Sequence, residues 1–144
     1  MELRDCINYM LTRAQNSVFN HFKSKLAPLG VTPVQYSVLR CLWDGGDQSP
    51  TKIAGALCLD TSTVTGIFDR MEKKELIERV HSATDRRAVN VRICAAGLAP
   101  RPGIEAAVAD ANEEVPAGVD PEHFTALQAA LDRIVPNAEG LAVH

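Results

Sequence analysis

Apolar positions recur along this chain with a helical period almost everywhere, and alternate in only one short stretch. Leu3, Ile7, Met10, Leu11, Ala14, Val18, Phe22 and Leu26 keep the helical period across a segment free of Pro and Gly, which predicts a long first helix over residues 2 to 27, stopped around Pro28 and Gly30. Thr32-Pro33-Val34-Gln35 is a capping box with Pro in the first turn. It starts a helix to Trp43 that turns Val34, Val38, Leu39 and Leu42 inward and ends at Asp44-Gly45-Gly46-Asp47. Ser49-Pro50 repeats the cap for a short helix, TKIAGALCL, with Ile53, Ala54 and Leu57 as its apolar face. In residues 60 to 74, DTSTVTGIFDRMEKK, Asp60 is the expected N-cap and Thr61 the first helical residue, and Val64, Ile67, Phe68 and Met71 form one stripe. Ser62, Thr63, Thr65, Gly66, Asp69 and Arg70 occupy the other faces.

After Leu76 the period changes. Ile77 and Val80 lead into His81-Ser82-Ala83-Thr84-Asp85-Arg86-Arg87, and Val89, Val91 and Ile93 then alternate with Asn90 and Arg92, which predicts a β-hairpin with Arg86 and Arg87 at or just after its tip. Ala95 to Val115 reads as helix, regular only from near Ile104 because of Pro100, Pro102 and Gly103. A turn at PAGVDP precedes a last helix, Pro121 to Val135, with Phe124, Leu127, Leu131 and Ile134 on one face, and the tail NAEGLAVH is expected to fray. Two short helices joined by a tight turn, followed by a hairpin, make a winged helix-turn-helix unit. The fold class is therefore mainly α with a small β-hairpin wing, divided into an N-terminal helix (1–30) whose extra length suggests a dimer contact, a winged helix-turn-helix domain (31–94) and C-terminal helices (95–144).

The net charge of −3 looks wrong for a nucleic-acid partner until it is divided along the chain. Residues 1–50 hold five basic and four acidic groups, residues 51–93 eight and six, and residues 94–144 two and eight, so the acidity lies in the last third. Cation clustering on one face is what attracts phosphate, and the overall sign does not exclude DNA. No apolar run approaches the roughly 20 residues of a membrane span, and MELRDCINYM does not look like a signal peptide, so a cytoplasmic chain without a membrane role is expected. Cys6, Cys41, Cys58 and Cys94 are widely spaced and are expected as free thiols, with Cys41, Cys58 and Cys94 on buried faces. No nucleophile and base pairing, phosphate-binding glycine loop or metal cluster is visible; neither an enzyme, a cofactor nor a metal site is expected.

The order of elements, with VTPVQYSVLRCLW at 31–43, IAGALCLDTSTVTGIFDRMEKKELIERV in the two short helices and DRRAVNVRICAAG in the hairpin, resembles the MarR family of winged helix-turn-helix transcriptional regulators over about residues 5 to 135. The resemblance implies a homodimer in which the N- and C-terminal helices (1–30 and 95–144) interleave as dimerisation helices, bound to a pseudo-palindromic double-stranded operator. One recognition helix would enter each of two successive major grooves, and the wings would reach toward adjacent minor grooves. It also implies a repressor released by a small aromatic or otherwise anionic effector held between the dimerisation and DNA-binding parts. Four departures stand out: Gly66 replaces a long, often basic side chain, Glu75 replaces the Gly that closes the recognition helix, Ser82 replaces an Asp before the wing tip, and Pro100 to Gly103 alters the exit from the wing.

On this reading Ser62, Thr63 and Thr65 touch phosphates or base edges, the Thr methyls reading thymine, while Gly66 leaves a gap in the same face. Arg70 binds phosphate or pairs with Asp69 or Glu72. Lys73 and Lys74 favour the negative end of the helix and add phosphate contacts. Arg86 is the candidate for minor-groove insertion, beside Arg87, and Asp85 braces the hairpin or orients an arginine. His21, Tyr36 and Arg40 lie near the expected effector site. Two alternatives remain: a redox-sensing regulator acting through Cys6, although Phe22 and Pro33 stand where the peroxide-sensing branch carries tyrosines, and a winged-helix interaction module without DNA reading.

Overall fold

A kink at Cys6 separates a single 3₁₀ turn, Leu3–Asp5, from helix α1, Ile7–Leu26, so the first helix starts later than its apolar period suggests. Cys6 has extended backbone (φ −77°, ψ 119°), and its carbonyl accepts the Met10 N–H, which makes it the N-cap. The computed structural model describes residues 1–142 and divides into two units, Met1–Ala111 and a smaller one beginning at Asn112.

In the first unit α1 is followed by α2 (Pro33–Gly45), α3 (Pro50–Ala56), α4 (Thr61–Lys73), β1 (Ile77–His81), β2 (Val89–Ile93), the single turn α5 (Ala95–Leu98) and α6 (Arg101–Glu114), whose last turn passes into the second unit. The Thr32 capping box is formed as the sequence predicts: its hydroxyl accepts the Gln35 N–H and the Gln35 amide oxygen accepts the Thr32 N–H, both at 3.2 Å. Gly46 closes α2 at φ 68°, ψ −158°, a conformation essentially confined to glycine. The strands pair antiparallel with Ile77 opposite Ile93 and His81 opposite Val89, and Gln48 adds a bridge to Val91 on the free side of β2. Leu26, Val38, Leu39, Ile53, Val64, Phe68, Met71, Ile77, Val91 and Ile104 form one buried core, on which α4 presents its whole predicted stripe.

Several boundaries differ from expectation for local reasons. α3 stops at Ala56 because Cys58 turns left-handed (φ 55°), with Leu59 N–H reaching back to the Ala54 carbonyl. α6 begins at Arg101, not Ile104: the Pro100 carbonyl accepts the Ile104 N–H, and Pro102 sits in the first turn, where a missing N–H costs nothing. α7 runs Pro121–Ala142, through Pro136, since a proline removes one rung but its fixed φ is itself helical. The tail expected to fray is thus helical to Ala142, and Val143 and His144 lie outside the described residues. In the second unit no residue of α7 is buried; Phe124 and Leu127 keep 38% and 48% of their surface, and Leu131 and Ile134 lie on the same face.

The end of α4 departs from expectation in an informative way. Glu75 takes the left-handed conformation itself (φ 59°), the Leu76 N–H bonds the Met71 carbonyl at 3.0 Å and the Glu75 N–H bonds Glu72 at 2.9 Å, so the helix closes with the geometry a glycine would supply. A side chain held there is strained by about 1 kcal/mol. Glu75→Gly is expected to raise the unfolding midpoint by about 3 °C, the freed strain exceeding the added flexibility of the unfolded chain. A midpoint that falls in calorimetry would show that Glu75 is not strained.

Candidate nucleic-acid interface

Asp60 starts the candidate reading helix. Its Oδ1 accepts the Thr63 N–H and the Ser62 hydroxyl, both at 2.7 Å, and these bonds hold its pKa down at about 2. A carboxyl depressed in the folded state stabilises it above the unfolded value near 4, and that contribution is lost only as pH falls through about 2, so the cap is charged wherever DNA binding would be measured. The Thr65 hydroxyl donates to the Thr61 carbonyl at 2.8 Å. Two of the three hydroxyls expected to meet DNA are therefore already used as donors in the first turns of α4 and its cap. A Cβ on Gly66 would meet only the Arg70 Nη1, at 3.8 Å, so this position is open surface.

Arg70 pairs with neither Asp69 nor Glu72. Residues one or two apart on a helix point to different sides, which excludes both pairings locally. Both acids are instead taken by Arg79 of β1, a residue to which the sequence reading gave no role. Its Nε donates to Glu72 Oε1 at 2.8 Å, its Nη2 to Glu72 Oε2 at 3.0 Å and to Asp69, and its backbone N–H to Glu72 Oε1 at 3.0 Å. These hydrogen bonds, those with Glu72 foremost, raise the Arg79 pKa, and the guanidinium in turn lowers that of Glu72. Lys74 is also occupied, donating to the Gly30 carbonyl at 3.0 Å and Gln35 Oε1 at 2.9 Å, and so fastens the end of α4 to the start of α2. Among the described residues Arg70 and Lys73 form no ion pair and are exposed.

In the wing, Asp85 braces the turn through backbone: its Oδ1 accepts the Arg87 N–H at 2.9 Å and its carbonyl accepts the Ala88 N–H at 3.1 Å. Ser82 serves where an Asp was expected, its Oγ accepting the Thr84 N–H at 3.3 Å. The guanidinium groups of Arg86 and Arg87 are exposed and unpaired among the described residues, whereas Arg92 is held by Asp47 at 3.1 Å and Glu78 at 3.7 Å.

The three residues assigned to an effector are each engaged elsewhere in the chain. Arg40 binds Asp44 at 2.9 Å and Glu105 at 3.1 Å, the Tyr36 ring packs against Trp43 with centroids 6.3 Å apart, and His21 is half-buried on α1. None of them lines the groove of about 520 Å³ whose lining includes the apolar Phe19, Val34 and Ile67 and the polar Thr32, Arg70 and Lys73. Of the cysteines, Cys58 is exposed, against expectation, because the left-handed turn lifts it off the core; Cys6, Cys41 and Cys94 are half-buried. Burial, then Asp44, pushes the Cys41 thiol pKa up, and burial with Glu78 and Glu75 does the same at Cys94, so both are held away from the reactive thiolate.

A sequence model described as the MarR family matches residues 31–89. The HTH-type transcriptional regulator MhqR of Bacillus subtilis is 33% identical over 89 residues, 62% of this chain and 61% of its own length. The HTH-type transcriptional regulator MgrA of Staphylococcus aureus is 33% identical over 92 residues, 63% of each chain. The alignments thus span a little over three fifths of these relatives. Among solved structures, the transcriptional repressor CouR, bound to a 23-mer DNA duplex, is 29% identical and superposes over 93% of this chain and 95% of its own with a TM-score of 0.84. The matched span holds both the capped reading helix and the arginine-tipped wing, and over residues 31–89 the chain is similar to the MarR family.

Proposed function

We propose that the chain is a homodimeric, sequence-specific transcriptional regulator, a repressor that binds a pseudo-palindromic operator and is released by a small anionic effector, aromatic in its apolar part. The observation that carries the DNA-binding reading is the set of four exposed cations without ion pairs among the described residues, Arg70 and Lys73 on α4 and Arg86 and Arg87 at the wing tip, on the two elements of one winged helix. Ser62, Thr63 and Thr65 supply short contacts to base edges and phosphates around the bare Gly66. The similarity to CouR, a repressor bound to a DNA duplex, supports the same reading. Homodimerisation is supported by uncovered apolar side chains on both outer helices: Ile7, Met10 and Phe19 of α1, and Phe124, Leu127 and Val135 of α7, keep 38–54% of their surface.

For the effector, the groove lined by Phe19, Val34, Ile67 and Arg70 is a better seat than His21, Tyr36 and Arg40: the Arg40 guanidinium is paired, His21 has a partner within the chain, and the Tyr36 ring packs against Trp43. A carboxylate on an aromatic ring would find cations in its lining. Because Arg70 and Lys73 belong to both the groove and the DNA face, occupancy of one opposes occupancy of the other. A redox mechanism has less support: Phe22 and Pro33 stand where tyrosines would back a reactive Cys6, and burial holds Cys41 and Cys94 as thiols.

The test is fluorescence anisotropy on the DNA upstream of the chain's own gene. Specific affinity should fall linearly on a log–log plot against salt, and aromatic acids that raise the melting temperature should weaken binding. Equal affinity for scrambled DNA at every salt concentration would refute sequence-specific regulation. Arg86→Ala is expected to weaken operator binding by about 1–3 kcal/mol, chiefly through A·T-rich flanks; wild-type affinity in this variant would remove Arg86 from minor-groove recognition.

A further inference from the structure

Asp69 and Glu72 pose an electrostatic problem for any DNA-facing role of α4. They lie on its exposed sides between Gly66 and the helix end, where a carboxylate repels phosphate. Asp69 is also four residues before Lys73, the favoured orientation for an acid and a lysine to pair along a helix. Such a pair would withdraw Lys73 from DNA, yet it is not formed. Arg79, reaching across from β1, takes both acids with its guanidinium, and its backbone N–H adds a further bond to Glu72. Its side chain is 28% exposed, against 53% for Asp69 and 33% for Glu72, so the pairing is shielded from solvent more on the arginine side than on that of Asp69.

We propose that Arg79 is a positioning residue for DNA binding: it serves as the internal counter-ion of the reading helix, drawing Asp69 and Glu72 toward β1 and leaving Lys73 unpaired for phosphate. The inference rests on the DNA-binding reading above. It makes the local charge of the cluster a dial for affinity. One guanidinium and two carboxylates sum to −1; Arg79→Gln makes this −2, Asp69→Asn with Glu72→Gln makes it +1, and the three changes together make it 0.

The experiment measures the affinity of wild type and these three variants for the upstream duplex and a scrambled one across a salt series, with a melting curve for each protein. At low salt Arg79→Gln should bind about tenfold more weakly than wild type, and the gap should narrow as salt rises. The double variant should bind about tenfold more tightly than wild type, and the triple variant should return to wild-type affinity or above. A merely structural clamp gives the opposite pattern: every variant that breaks the network weakens binding together, in the order of its melting temperature. Failure of the triple variant to improve on Arg79→Gln overturns the proposal. If Arg79→Gln does not fold, the double variant decides alone, with tighter binding in support and weaker or unchanged binding against. Wild type binding neither duplex removes the DNA-binding reading and this proposal with it, whereas wild type binding without the charge order removes only the proposal.

Discussion

Truncating Phe68 to alanine is expected to lower the unfolding free energy by about 3–5 kcal/mol. Phe68 is 1% exposed and is the largest fully buried side chain among the described residues, on a helix that packs against α2, α3 and β1 together. The stripe around it, Val64, Ile67 and Met71, is also buried, so few neighbours are free to collapse into the space the ring leaves. Against a total stability of about 5–15 kcal/mol, this is a loss that removes a large share of the folded population at physiological temperature. Calorimetry should show the midpoint falling by about 10 °C, with operator affinity falling as well, because α4 would lose its fixed orientation. A shift under about 2 °C would mean that the core beneath α4 repacks freely and that the helix is not anchored by this ring.

Gly97→Ala is expected to cost about 3 kcal/mol, although it adds a single methyl group. A Cβ there would stand 2.4 Å from the Leu76 carbonyl oxygen and 2.8 Å from Ile93 Cγ1. Neither can yield cheaply. The Leu76 carbonyl accepts the Cys94 N–H at 3.0 Å, and the Gly97 carbonyl accepts the Trp43 indole N–H at 3.2 Å, so movement of either backbone breaks a bond that ties the wing to the helices. Gly66→Ala is the natural control: it lies mid-helix in open space, and the same methyl group should stabilise by about 0.5–1 kcal/mol. Chemical denaturation of the two variants should therefore move in opposite directions from wild type. If both move the same way, backbone propensity rather than the clash at Leu76 governs position 97.

Where the fold was legible in the sequence, the governing interactions span at most four residues. The α4 stripe follows from a 3.6-residue period, Asp60 and Thr32 act on N–H groups three positions on, and the alternation of Val89, Val91 and Ile93 marks a strand directly. The misreadings share a different cause. Arg79 reaches Asp69 and Glu72 ten and seven residues away, across a turn whose course depends on the left-handed Glu75. Gln48 joins the sheet through Val91, and nothing near Gln48 signals a strand. Position 97 is crowded by the carbonyl of Leu76, which precedes the opposite strand of the hairpin and lies 21 residues back in the chain, and no local pattern can show this. For the candidate site, the residue types on α4 and the wing were visible from their faces, but which cations are unpaired is a property of the folded chain. Lys74 and Arg40 looked as available as Lys73 and Arg70 until their partners came into reach.

The chain holds one tryptophan, Trp43, which stands where α2 meets the start of α6, its indole N–H on the Gly97 carbonyl and the Arg101 guanidinium 5.2 Å from its ring. A cation over the ring and a hydrogen bond at its edge both perturb indole emission, and both are lost if α6 shifts against α2. The wild-type protein therefore carries a built-in optical probe at the joint between its winged helix and the helix that follows. Its emission wavelength follows that joint during a DNA or effector titration, with no label added and no residue changed.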